Sequence, residues 1–168
     1  MENFSALPST ARVWVYQSDR AFTTTESAQV VEDIRAFVSQ WLAHKAKVIG
    51  DGVLLFDRFV VLAADEEKLQ VSGCSIDSTV RFIKDLGQKY GINFFDRFYT
   101  CYLENGEVKG VDFESFKQLY ASHKVTDDTV VFNNLLTTVE VLNTNWQQPL
   151  SQSWHRKFVT QEAAAFKL

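Results

Sequence analysis

Cysteine is nearly missing from this chain: of 168 residues only Cys74 and Cys101 carry a thiol. Two isolated cysteines make no disulfide framework, and without a C-x-x-C pair they supply neither a zinc ribbon nor a dithiol redox centre. Such scarcity fits a reducing compartment, so a cytoplasmic location is expected. Proline and glycine are scarce too, at 2 and 7 residues, which argues against disorder. The longest apolar run, Phe59 to Ala64, falls far short of the ~20 residues that span a bilayer. Met1 to Pro8 has no basic start and no apolar stretch, so no secretory signal is read there. Positive charge is not in excess: 17 Lys and Arg against 21 Asp and Glu leave a net −4. No global field gathers nucleic acid or an anionic membrane, and neither is expected as a partner.

Catalytic signatures are missing as well. No glycine-rich P-loop with its Lys-Ser or Lys-Thr occurs, and no G-x-G-x-x-G or G-x-S-x-G. The three histidines, His44, His123 and His155, are scattered without metal-ligand spacing. No metal or cofactor is expected.

What the chain does have is apolar material for a core, at 46% hydrophobic and 14% aromatic residues. Its length suits one domain of ~100–200 residues, and residues 1–168 are read as a single domain. Arg12 to Tyr16 is β-branched and aromatic and predicts a strand. Thr23-Thr24-Thr25-Glu26 has capping-box spacing. Val30, Val31, Ile34, Phe37, Val38, Trp41 and Leu42 then repeat at helical steps. Val53 to Phe56 and Phe59 to Leu62 predict two strands joined by a tight turn at Asp57-Arg58, the second strand buried on both faces.

A second helix follows, capped by Ser75 or Asp77, with Ile76, Val80, Ile83, Leu86 and Tyr90 buried and Gly91 at its end. Arg97 to Leu103 predicts a strand, and Asn105-Gly106 turns it into Val108 to Val111. The order strand, helix, strand, strand, helix, strand is most economically an α+β, ferredoxin-like βαββαβ core over 1–103, with both helices on one face of an antiparallel sheet. Residues 104–168 form a C-terminal β/α extension packed on that core. In it, Phe113, Phe116, Leu119 and Tyr120 mark a short helix, and Thr129 to Phe132 a strand. Thr137 to Glu140 is a second capping box, and Pro149 ends the helix that follows.

Three places could carry chemistry. Ser72-Gly73-Cys74-Ser75-Ile76-Asp77 lies at a helix start, where spare amides and partial positive charge favour an anion or a thiolate. Ser72, Gly73, Cys74, Ser75 and Asp77 are ligand-binding candidates there, with Arg12 able to add charge. Cys74 as nucleophile with Asp77 as helper is the catalytic version, and simple helix capping is the plainer one. Second, Phe56-Asp57-Arg58-Phe59 echoes Phe95-Asp96-Arg97-Phe98. In the expected fold both arginines share one end of the sheet with Arg20, so Arg20, Arg58 and Arg97 could form a small anion site. Third, Trp154-His155-Arg156 is a basic, aromatic cluster suited to a protein partner, or to anchoring the tail itself.

Together Val13-Trp14-Val15-Tyr16-Gln17-Ser18, Ser72-Gly73-Cys74-Ser75-Ile76-Asp77, Val131-Phe132-Asn133-Asn134-Leu135 and Ser153-Trp154-His155 resemble a family of short bacterial proteins of uncharacterised role, often labelled "ABC transporter ATPase". The resemblance runs from about Val13 to Phe158. The label implies nucleotide hydrolysis, but no Walker A lysine and glycine loop is present to cradle the phosphates. Val71 to Ser75 lacks the second glycine and the glutamine of the ABC signature. An ABC-type ATPase is therefore excluded. The expected role is a non-catalytic binding or protein-interaction module, acting with a protein partner or by self-association. An anion or metabolite binder and a cysteine-dependent enzyme are the alternatives.

Overall fold

The structure, a computed structural model, describes residues 3–43, 46–67 and 73–160, with the backbone alone at Ala43, Gly73, Cys74 and Ser75. In chain order the elements are β1 (Arg12–Gln17), α1 (Thr24–Gln40), β2 (Leu42–Ala43), β3 (Ala46–Lys47), β4 (Gly50–Leu55), β5 (Phe59–Ala64), α2 (Gly73–Tyr90), β6 (Tyr99–Glu104), β7 (Glu107–Asp112), α3 (Phe113–Ala121), β8 (Val130–Phe132), α4 (Val139–Asn145), β9 (Gln147–Pro149) and α5 (Arg156–Thr160). The chain is thus mixed α and β, with two larger antiparallel sheets ordered β1-β5-β4 and β7-β6-β8-β9.

Two compact units result, Met1–Asp96 with Asn134–Thr144, and Arg97–Asn133 with Asn145–Leu168. The break falls at Asp96, not after Leu103, and Asn134–Thr144 returns to the first unit.

In the first unit, α1 begins where the sequence placed it. Thr23 Oγ1 accepts from the Glu26 N–H, and the Glu26 carboxylate accepts from the Thr23 N–H at 2.8 Å. Val30 and Ile34 from α1 and Ile83 and Leu86 from α2 pack with Val60, Leu62 and Ala64 of β5. Both helices therefore lie on one face of the sheet. Phe59, Val61 and Ala63 point the other way and are equally buried, so β5 is covered on both faces as its unbroken apolar run implied. The α1 helix comes close to β4 because of glycine. A Cβ on Gly52 would lie 2.5 Å from Ile34 Cγ2.

Four expectations are corrected. The β4–β5 turn is centred on Phe56 and Asp57, both at positive φ (53° and 49°), rather than on Asp57-Arg58. The strand expected to complete a ferredoxin-like sheet does not join it: β6 pairs with β7 and β8 in the other sheet. At the outer edge of β1 stands instead the segment before α4, through the Val13 N–H to the Thr137 carbonyl at 3.0 Å and a bridge between Arg12 and Thr138. That contact uses Thr137, so the cap moves one residue, and Thr138 Oγ1 accepts from Val141 N–H at 3.4 Å. Finally, Pro149 does not merely end a helix. It closes strand β9, which pairs with β8 at Val130.

The second unit has its own core of Tyr102, Phe116, Val125, Val131 and Leu150. Its β6–β7 turn is the expected one, with Asn105 at φ 52° and Gly106 at φ 81°.

Candidate functional site

Helices α1 and α2 of the first unit bring together side chains that their buried stripes alone do not account for. Phe37 of α1 and Phe82 of α2 stack face to face, ring centroids 4.3 Å apart and 7° from parallel. Beside them runs a groove of about 420 Å³, with Ala36, Phe37, Phe82 and Leu86 as its apolar part. Asp33, Arg81, Asp85 and Lys89 supply charge of both signs around it. Asp33 is fixed by Lys89 Nζ, which donates to its two oxygens at 2.9 and 2.7 Å, and by the Tyr90 hydroxyl at 2.7 Å. These contacts raise the pKa of Lys89, so its ammonium is held charged. Among the described side chains, the groove lining contains no thiol and no imidazole. The described lining offers the aromatic area of Phe37 and Phe82, with the paired Asp33 and Lys89 held beside it.

The helix-start candidates yield less. Ser72 and the side chains of Gly73, Cys74 and Ser75 lie outside the described residues. Asp77 is exposed on the first turns of α2. Arg12 is already engaged: its guanidinium lies 3.3 Å from the Glu66 carboxylate and 5.1 Å from the centre of the Trp14 ring.

The arginine cluster loses the premise it was argued from. Its premise was a sheet in which Arg97 starts the strand beside β1, and β6 is not in that sheet. Arg97 belongs to the second unit, while Arg20 and Arg58 belong to the first. Arg20 is also occupied, since it grips the two Glu26 oxygens at 2.8 and 2.9 Å and donates to the Tyr90 carbonyl oxygen at 2.6 Å. It thus ties the start of α1 to the end of α2. Arg20 first, and the Thr23 backbone second, hold the Glu26 carboxyl down to about 2. Replacing Arg20 with Ala should return Glu26 towards the ordinary 4.5, read by carbon-detected NMR titration. Because the folded value is the lower one, the stability linked to Glu26 is present above pH 4.5. It fades as the pH falls towards 2.

The aromatic cluster in the second unit anchors itself. Trp154 stacks on His155 at 3.8 Å and meets Phe158 edge-on at 5.6 Å, while Phe113 and Phe158 stack at 5.0 Å. His155 is buried, with Nδ1 2.7 Å from Ser153 Oγ. Arg156 donates to both Asp127 oxygens at 3.3 and 3.1 Å, and Tyr120 adds a third bond to that carboxylate. Trp154 thus packs locally and Arg156 pairs locally within the second unit.

Among the described residues no three His, Cys, Asp or Glu side chains are grouped to hold a metal ion, and no helix is long and apolar enough to cross a membrane. The groove was the part the sequence reading missed. Phe37 was counted in the α1 core stripe, and Phe82 sits just beside the stripe of Ile76, Val80, Ile83, Leu86 and Tyr90. A second line one step round each helix, Asp33-Phe37-Gln40 and Ser78-Phe82-Asp85-Lys89, was the available signal. No protein family, curated protein or solved structure matches the chain.

Proposed function

We propose that the chain is a non-catalytic interaction module that takes a segment of a partner protein in the groove between α1 and α2. The observation that carries this reading is the stacked Phe37–Phe82 pair beside an open groove lined by charges of both signs, of which Asp33 and Lys89 are held in place by each other. An apolar centre with a polar rim is how protein interfaces are built, and aromatic anchors dominate their energetics. A single strong charge, as a small anion would need, is not what the lining offers. The first unit is read as a ferredoxin-like βαββα core without its fourth strand, supported by the β1-β5-β4 order and by both helices packing on one face.

Ala36→Trp tests the groove. Ala36 is exposed there, so the indole fills the groove without entering the core. Affinity purification should recover a stoichiometric protein with the wild type and lose it with Ala36→Trp, the thermal midpoint staying put because the change is on the surface. Recovery of the same partner by both chains, or of the wild-type chain alone, sinks the reading.

A further inference from the structure

The two larger sheets have four outer strands, β1, β4, β7 and β9, and an open strand edge is a template for another chain unless something blunts it. The β1 edge is met by Thr137 and Thr138. The β7 edge carries the Lys109–Glu107 ion pair at 2.6 Å, and β9 is three residues long and ends in Pro149. The β4 edge differs. It runs for six residues, Gly-Asp-Gly-Val-Leu-Leu, with no lysine and no proline. Ile49 and Phe56 at its two ends are exposed.

The register fixes which backbone groups face outward. The Asp65 N–H donates to the Ile49 carbonyl at 2.8 Å, so the odd-numbered residues of this stretch pair with β5. Gly50, Gly52 and Leu54 therefore direct their N–H and C=O groups away from the sheet. One outward donor is already answered locally: the Gly52 N–H donates to Asp51 Oδ1 at 2.7 Å.

We infer that the outer edge of β4 is a self-association edge, pairing antiparallel with β4 of a second copy about a two-fold axis at Gly52, and that Asp51 restrains this pairing. The sequence is self-complementary in that register. Gly52 meets the second copy's Gly52, Gly50 meets its Leu54, and exposed Ile49 meets its Leu55. Asp51 falls opposite the second copy's Val53, so no carboxylate faces another directly. The two Asp51 groups still approach along the strand diagonal, where like charge disfavours pairing. To pair, Asp51 must also release its own Gly52 N–H. This edge is separate from the groove between α1 and α2. A chain that stays monomeric overturns the self-association and leaves the groove reading untouched.

Sedimentation velocity on the full chain tests it. The wild type should show a dimer that grows with protein concentration in the submillimolar range and with added salt. Asp51→Asn should tighten it by roughly threefold, and Ile49→Lys should weaken it. Because 51 and 53 form a non-hydrogen-bonded pair, with Cα atoms ~4.5 Å apart in such a pair, they suit a disulfide. In a Cys74→Ser background, a mixture of Asp51→Cys and Val53→Cys chains should therefore crosslink, and neither chain alone should do so comparably. A wild-type chain monomeric at every concentration overturns the inference. So does a dimer that ignores Asp51→Asn and fails to form the mixed disulfide.

Discussion

Trp41→Ala should cost the first unit about 3–5 kcal/mol, the range for truncating a large buried aromatic. Trp41 is 1% exposed and sits just past α1. Its backbone N–H donates to the Val38 carbonyl at 3.3 Å and its carbonyl accepts from Val48 N–H at 2.9 Å. Its ring lies 5.4 Å from Phe37 and 5.9 Å from Trp14. Removing the indole empties the space behind Phe37, so the groove should lose its aromatic face along with the stability. Urea unfolding followed by circular dichroism measures the first effect. A loss under 1 kcal/mol would mean that the site collapses and refills, and that Trp41 does not hold Phe37 in place.

Mild acid should destabilise the protein through His155. Burial pushes this imidazole down from 6.5 to about 4. The folded state thus binds the proton less readily than the unfolded chain does. Stability is fully present above pH 6.5, the unfolded value, and is lost as the pH falls from there towards 4. The total loss is ~3 kcal/mol, at about 1.36 kcal/mol for each pH unit between 6.5 and 4. Asp127, in the same unit, is held below the usual carboxylate range by Arg156, so it titrates at lower pH and outside this window. His155→Gln keeps a polar group beside Ser153 without the proton equilibrium. It should flatten stability between pH 6.5 and 5, above the range in which Glu26 contributes, whatever it does to stability at pH 7. An unchanged slope in the variant would remove His155 as the cause.

Local features were legible because neighbours in sequence decide them. The capping box at Thr23 and Glu26 needs only its own four residues, and the Asn105-Gly106 turn only its own two. The continuous run Phe59 to Ala64 announced a strand covered on both faces. Partners of strands are decided elsewhere. The strand-forming composition of Tyr99–Glu104 suits any antiparallel neighbour, and nothing within it says that Tyr102 faces Val131 rather than a residue of β1. Once that strand moved, the arginine cluster lost the pairing it was argued from. Pro149 shows the same limit from the other side: proline signals an interruption, and an edge strand tolerates it as readily as a helix end does. The groove was hidden because Phe37 fits the core stripe and the surface line at once. Only the packing of α1 against α2 shows that its ring meets Phe82.

The most direct test of the groove as the binding surface is a photo-crosslinking amino acid at Arg81, compared with the same group at Lys109 in the second unit. Arg81 lines the groove and is exposed, and Lys109 lies on β7. In native cells the Arg81 position should give a discrete protein adduct that Ala36→Trp abolishes, while the Lys109 position gives none. Equal adducts from both positions, or an Arg81 adduct that survives Ala36→Trp, would contradict binding in the groove between α1 and α2.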